Sequence, residues 1–274
     1  MALRTALLNV MVGAAKKAAR GLVRDFGEVE QLQVSKKGPA DFVSAADLKA
    51  ERVLREELHK ARPDWGFRLE EGGVVQGSNR SYHWVVDPLD GTTNFLHGLP
   101  HFAISIGVEL EGEPIAGVIY DPVKDELFAA EKGQGAYLHE RRLRVSGRSR
   151  LPEALLATGI PFHGGKEHDR FNSELGLVMP EVAGVRRFGA AALDLAYVAA
   201  GRYDGFWEWG LNPWDICAGI VLVQEAGGLL SEIDGGRDFY GSGNILAANA
   251  SLHHTLGDLL RRAPAAAPPA ASSG

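Results

Sequence analysis

The run Trp84-Val85-Val86-Asp87-Pro88-Leu89-Asp90-Gly91-Thr92-Thr93-Asn94-Phe95 sets two carboxylates at the end of an apolar stretch. Residues 81–86 read as a short strand, and Pro88 and Gly91 turn the chain behind it. Asp87 and Asp90 crowd that strand end, and the hydroxyls of Thr92 and Thr93 follow. Crowded carboxylates repel unless a hard cation lies between them, and Mg²⁺ favours such oxygen ligands. The stretch therefore predicts a strand running into an acidic turn, with the rest of a site drawn from elsewhere in the chain.

Two other acidic positions have the same character. Glu70-Glu71 follows the apolar Trp65-Gly66-Phe67 and precedes Gly72-Gly73, and Asp215 follows Trp214 at the start of a helix predicted over 215–226. Alone, Glu70 reads as solvated surface, Asp215 as a helix N-cap and Asp-Pro-Leu-Asp-Gly as a turn. Together Glu70, Asp87, Asp90 and Asp215 offer enough oxygens for two Mg²⁺ ions with a shared ligand. Two metals about 3.5–4 Å apart suit in-line displacement at phosphorus. In that chemistry the backbone N–H groups of Gly91 and Thr92 approach a phosphate. The Thr92 hydroxyl positions the attacking water, and Asp47 accepts a hydrogen bond behind it. No P-loop and no G-x-G-x-x-G before a helix occurs, which argues against nucleoside triphosphate chemistry.

The 274 residues are 45% hydrophobic and 23% charged, ordinary for a soluble globular protein. A net charge of -6 argues against nucleic acid as a direct partner. The single cysteine, Cys217, excludes an internal disulfide framework and fits a reducing, cytoplasmic compartment. The apolar residues 6–15 continue at helical spacing past Lys16 and Lys17, so residues 3–25 read as an amphipathic helix rather than a leader. No stretch is apolar for long enough to span a membrane.

Residues 36–41 read as a loop and 47–62 as a second helix. Short alternating runs over 102–145, split by tight turns, predict an antiparallel meander. Beyond residue 150 strands and helices alternate, with helices over 172–178, 190–201 and 215–226 and strands over 229–233 and 244–248. Ser251 is expected to cap a last helix ending at 262. These patterns predict an α+β sub-domain over 1–150 and an α/β sub-domain over 151–262, joined as one catalytic unit, with a disordered Ala/Pro/Ser tail over 263–274. Cys217 reads as core, Asp194 as a packing contact, and His163 and His168 as exposed loop residues. Lys36 and Lys37 either close over a phosphate or are simply solvated.

Three motifs carry a family resemblance: Leu69-Glu70-Glu71-Gly72, the Trp84–Phe95 run, and Pro213-Trp214-Asp215-Ile216-Cys217-Ala218-Gly219 leading to Glu225-Ala226-Gly227-Gly228. The chain resembles the inositol monophosphatase family, and its bacterial members most, from about Phe42 to Asn249. The resemblance implies a layered αβαβα fold, a homodimer, inhibition by Li⁺ and two or three Mg²⁺ ions per subunit. It implies Glu70, Asp87 and the Leu89 carbonyl on one metal, with Asp87, Asp90 and Asp215 on a second. Thr92 and Asp47 stand beside the nucleophilic water, with Glu70 in the catalytic group. It also implies substrate contacts from Asp90, Gly91, Thr92, Arg186, Gly189, Ala190, Ala191, Glu208 and Asp215. One position departs from the family: Ala190 stands where Ser or Thr is usual.

The implied activity is Mg²⁺-dependent hydrolysis of inositol monophosphate or a similar small polyol phosphate. A 3′(2′),5′-bisphosphate nucleotidase and a histidinol-phosphate phosphatase share the same scaffold, and a binding protein with a lapsed metal site is a further alternative. A haloacid-dehalogenase-type phosphatase has D-x-D-G-T, with the first Asp as nucleophile. Here two residues part the acids.

Overall fold

Residues 6–26 build one long helix because Leu8, Met11, Val12, Ala15, Ala18, Ala19 and Leu22 recur on one face and are all buried. Thr5 caps this helix, α1 (Ala6–Phe26), by accepting the Leu8 N–H at 3.1 Å. The computed structural model describes residues 5–28, 34–38, 41–161 and 168–264, the side chains of 34–38 and 41–44 excepted. Residues 36–38 and 41 of the expected loop belong instead to an antiparallel pair, β1 (Val34–Gly38) and β2 (Asp41–Ser44), and 39–40 lie outside the described residues. Strands this short lack a run long enough to show period-two alternation. Helix α2 (Ala45–Ala61) then packs along α1.

The large sheet follows: β3 (Trp65–Leu69), β4 (Gly73–Val75), β5 (Asn79–Asp90), then, past the short helix α3 (Thr92–Leu96), β6 (Ala103–Leu110), β7 (Glu113–Asp121), β8 (Glu126–Glu131), β9 (Gly135–Leu138) and β10 (Arg141–Arg142). Its eight strands run in the order β10-β9-β8-β7-β6-β5-β3-β4. The meander is antiparallel as its spacing predicts, and only β3 and β5 pair in parallel. Alternation sorts β6 into two faces. Ile104, Ile106 and Val108 join the core under α1 and α2. Ala103, Ser105 and Gly107 face the other way.

The rest of the chain forms β11 (Leu155–Thr158), α4 (His168–Val178), β12 (Gly184–Arg186), α5 (Ala191–Ala199), β13 (Gly205–Glu208), α6 (Pro213–Glu225), β14 (Leu229–Ser231), α7 (Phe239–Ser242), β15 (Ile245–Ala248) and α8 (Ala250–Leu260). The second sheet has the order β12-β11-β13-β15-β14. Its β11 pairs in parallel on both sides, whereas β15 is antiparallel to both neighbours. The last helix is capped by Asn249, which accepts the Leu252 N–H at 3.0 Å, rather than by Ser251. Helices α5 and α6 fill the space between the sheets, and α8 closes the far side. Three apolar cores thus join five layers, helix, sheet, helix, sheet, helix, the middle core filling both faces of the α5–α6 layer.

Helix α6 lies directly on the large sheet because two glycines let it. A Cβ on Gly107 would come within 2.3 Å of Cys217 Sγ, and one on Gly117 within 2.5 Å of the Ala218 carbonyl oxygen. Cys217 is fully buried there, as expected, and burial pushes its thiol up to about 12. This close seat carries Asp215 to the end of β5.

Candidate active site

The turn that opens the site is a break in a ladder. Strand β5 pairs Asp87 with Ser105 and Asp90 with Ala103, so one extra residue bulges out on the β5 side. Pro88, which has no N–H to offer a neighbour, lies in the bulge. The Leu89 N–H donates to Asp87 Oδ1 at 2.8 Å and fixes that carboxylate. Gly91, at φ 94°, then swings the chain into α3, a conformation costly for any residue with a Cβ.

Glu70 comes in from β3, its N–H donating to the Val86 carbonyl at 3.2 Å. Asp215 stands in the first turn of α6, where it forms a capping box with Asn212 and accepts the Asn212 N–H at 2.7 Å. The bland reading of Asp215 as a capping residue is therefore also true, with Asn212 as the N-cap. Asp90 Oδ2 accepts the Ala192 N–H at 2.8 Å, at the start of α5. Asp47 is buried in the first turn of α2. The Thr92 hydroxyl has two acceptors within reach, Asp47 Oδ1 and the Leu89 carbonyl, each at 3.0 Å.

These groups border one cleft of about 510 Å³. Glu70, Asp87, Leu89, Asp90, Gly91, Thr92, Thr93, Asn94 and Asp215 line its acidic side. Arg187, Gly189, Ala190, Ala191, Glu208, Leu211, Ile160, Pro161 and His168 complete the lining. Of the residues expected from sequence, two stand apart. Asp47 sits behind Thr92, and Arg186 ends β12 exposed, its guanidinium donating to the Val185 carbonyl at 3.1 Å. The arginine that lines the cleft is its neighbour, Arg187. Consecutive residues near a strand point to opposite sides, so a one-residue choice decides which of two adjacent arginines faces the site.

Other contributors carry weaker signals. His168, expected to be exposed, is half-buried at the start of α4, with Nε2 2.8 Å from the Pro161 carbonyl. Asn94, inside the quoted run, donates to the carbonyls of His101 at 2.8 Å and Phe188 at 2.7 Å, tying the acidic turn to the segment that leads into Gly189. The side chains of Lys36, Lys37 and His163 lie outside the described residues.

Electrostatics follow from burial and crowding. Burial pushes Asp87 well above the usual carboxylate range, and Glu70, Asp90 and Asp215 add repulsion. Asp90 is pushed up to about 8 by burial and then by Asp215, against the opposing pull of the α5 backbone N–H groups. Burial lifts Asp215 to about 6 although Asn212 bonds it. Glu208 rises to about 8 through burial and repulsion from Asp215, with Arg187 pulling the other way. Asp194 is buried in α5 and also raised, first by burial and then by Glu208. Among the described residues no three Asp, Glu, His or Cys side chains are drawn together in metal-coordinating geometry. The donor set nevertheless fits a hard cation. Asp87, Asp90 and Asp215 each accept a backbone N–H, which holds the group in place and leaves lone pairs over. A positive charge would relieve the mutual repulsion.

Five layers and a carboxylate-lined cleft at the ends of β5 and β13 define a phosphatase. The profile of the inositol monophosphatase family matches residues 3–264, and the chain belongs to that family, whose members are generally metal-dependent. An inositol-1-monophosphatase from Mesorhizobium japonicum is 57% identical over 253 residues, 92% of this chain and 95% of that one. The Nus factor SuhB of Pseudomonas aeruginosa is 46% identical over 254 residues, 91% and 94% of the two chains. The crystal structure of extragenic suppressor protein suhB from Bartonella henselae superposes with a TM-score of 0.92 at 54% identity, covering 95% of this chain and all of the other.

Proposed function

We propose that this phosphatase hydrolyses inositol monophosphate, or a similar small polyol phosphate, with Mg²⁺ as its cofactor. One observation carries the reading: Glu70, Asp87, Asp90 and Asp215 reach one cleft from separate parts of the chain, with the Thr92 hydroxyl and Asp47 behind them. Glu70, Asp87 and the Leu89 carbonyl would hold one ion, and Asp87, Asp90 and Asp215 a second. Two or three ions bound there would polarise the phosphoryl group, lower the pKa of water and neutralise the leaving alkoxide.

The chain's own residues orient the reaction. When the Thr92 hydroxyl donates to Asp47, its lone pairs accept a hydrogen bond from an attacking water and aim the water oxygen at phosphorus. The Gly91-Thr92 backbone offers N–H groups to the phosphoryl oxygens. Gly189, Ala190, Ala191 and Glu208 form the wall that meets the alcohol. Glu208 accepts hydrogen bonds from hydroxyls, and Arg187 balances its charge.

The same reading makes the chain a cytoplasmic homodimer. Leu99, Val123 and Phe188 are exposed, and their chain neighbours meet: Lys124 donates to the Pro100 carbonyl at 3.2 Å, and the His101 ring lies tilted 5.1 Å from Phe188. No described helix is long and apolar enough to cross a membrane. The deciding experiment is a turnover screen with Mg²⁺ over inositol 1-phosphate, histidinol phosphate, fructose 1,6-bisphosphate and adenosine 3′,5′-bisphosphate. Inositol 1-phosphate should give the highest kcat/KM. A preference for adenosine 3′,5′-bisphosphate or histidinol phosphate would overturn the substrate, and a trapped aspartyl-phosphate would overturn the mechanism.

A further inference from the structure

The Glu208 carboxylate lies directly against the backbone of Gly159. A Cβ built on Gly159 would be 1.8 Å from Glu208 Oε1, 1.9 Å from Cδ and 2.2 Å from Oε2. No side chain can stand there while Glu208 keeps its place. The topology explains the contact. Strands β11 and β13 are parallel neighbours with Thr158 opposite Trp207, so the next residue on each, Gly159 and Glu208, also stand side by side. The Thr158 hydroxyl donates to the Trp207 carbonyl at 2.8 Å and locks that register. Gly159 is buried and its φ is not positive, so neither a turn nor a left-handed backbone calls for glycine here. What calls for it is the carboxylate, which supplies the three atoms nearest the missing Cβ.

Around this contact the described residues give the wall few polar side chains to offer an alcohol. Ala190, at the start of α5, brings no hydroxyl, and the Ala191 and Leu211 side chains are apolar. Among the described residues, Glu208 and Arg187 are the charged side chains that line the cleft beside the acidic cluster. Recognition of hydroxyls on the leaving alcohol therefore falls mainly on Glu208, and its position is worth more than it would be on a polar wall.

We propose that Gly159 is a positioning residue for alcohol specificity: the missing side chain admits the Glu208 carboxylate to the wall, where it accepts hydrogen bonds from polyol hydroxyls. This rests on the substrate reading above for its chemistry, but not for its geometry. The carboxylate is the far end of a flexible side chain, so Gly159→Ala moves it aside by more than 1 Å to reach an ordinary contact rather than unfolding the sheet. The metal-holding acids are not among the atoms nearest the added methyl, so they keep their places.

The test compares wild type, Gly159→Ala, Glu208→Asp and the double variant on inositol 1-phosphate and on p-nitrophenyl phosphate, whose leaving group has no hydroxyl beyond the scissile oxygen. Gly159→Ala should raise KM for inositol 1-phosphate about tenfold, with kcat and all p-nitrophenyl phosphate kinetics within about twofold of wild type. Glu208→Asp withdraws the carboxylate by one methylene, so adding Gly159→Ala to it should cause little further loss. Equal losses on both esters, no loss on either, or fully additive losses in the double variant would each overturn the proposal. A crystal structure of Gly159→Ala reads the displacement without any substrate: a carboxylate still in its original place also overturns it. Wild-type preference for p-nitrophenyl phosphate over every polyol ester would instead defeat the substrate reading and with it the specificity role, while the Gly159→Ala crystal structure alone decides the geometry.

Discussion

Asp90 Oδ2 accepts the Ala192 N–H at 2.8 Å, a bond between residues 102 apart that caps one helix from another part of the fold. Helix α5 begins at Ala191 with Ala190 in the N-cap position, and Ala190 has no side-chain oxygen to give. Its first N–H groups turn instead to Asp90, whose carboxylate is also stabilised by the N–H groups of Ala191 and Leu193. A carboxylate suits a helix N-terminus, since the helix dipole favours negative charge there. The same side chain thus closes α5 and belongs to the acidic cluster, which couples the substrate wall to the metal-holding side.

Ala190→Ser follows from this bond. A serine hydroxyl at the N-cap should take over part of the capping and stabilise the fold by about 1 kcal/mol. The hydroxyl also borders the cleft and should lower KM for inositol 1-phosphate a few-fold. Thermal unfolding and steady-state kinetics separate the two effects. A higher midpoint with unchanged KM would mean that the usual family hydroxyl serves the helix rather than the sugar, and that Ala190 says nothing against inositol.

Thr92 is tested by removing one oxygen. Thr92→Val keeps the shape but takes the hydroxyl from between Asp47 and Leu89. The expected loss in kcat is about 10²-fold or more, in the range for a positioned proton-transfer group. Mg²⁺ binding, read by calorimetry, should change little. Thr92→Ser should recover most of the rate. Equal loss of Mg²⁺ affinity in Thr92→Val would show that the residue supports the ion and not the water.

Much of this site was legible because each acid stands at a boundary that sequence marks. Asp87 and Asp90 end an apolar strand at a proline and a glycine, and Asp215 opens an apolar helix. Glu70 was legible as an acid before two glycines, although the three- and five-residue strands on either side of it were not, being too short for a period to show. Contacts across the fold left no such mark. Gly159 against Glu208 and Asp90 against Ala192 depend on strand register and helix placement. Arg187 rather than Arg186 depends on which way one residue turns. The register of β11 on β13, and hence Gly159 beside Glu208, exists only once the sheet is assembled.

Gly117→Ala probes the seat of α6. The new methyl would come within 2.5 Å of the Ala218 carbonyl and 2.6 Å of its Cα, both backbone atoms that cannot step aside alone. The helix must lift from the sheet, a strain of about 1–3 kcal/mol by analogy with overpacked cores. Because Asp215 rides on this helix, the variant should lose Mg²⁺ affinity along with thermal stability. A normal Mg²⁺ titration in a destabilised Gly117→Ala would show that Asp215 is placed by its own capping box and not by the helix seat.

The acidic cluster predicts how metal and pH trade against each other. Asp90 and Glu208 are raised to about 8 and Asp215 to about 6, and Asp87 lies well above its ordinary value. In the metal-free protein these groups hold protons that the unfolded chain, with carboxyls near 4, has already released. The folded state therefore binds more protons than the unfolded one between about pH 4 and 8, and stability falls as pH rises through that window. Mg²⁺ prefers the ionised carboxylates, so its binding releases protons and strengthens as pH rises. With chelator, the unfolding midpoint should drop between pH 5 and pH 8. With saturating Mg²⁺ the drop should largely vanish, so the metal-induced shift is larger at pH 8 than at pH 5. Asp87→Asn removes the acid most burdened by its neighbours. In chelator at pH 8 it should melt higher than wild type while losing turnover in Mg²⁺. A metal-induced shift of equal size at both pH values, or an Asp87→Asn variant less stable than wild type without metal, would show that these carboxylates are not held in mutual repulsion.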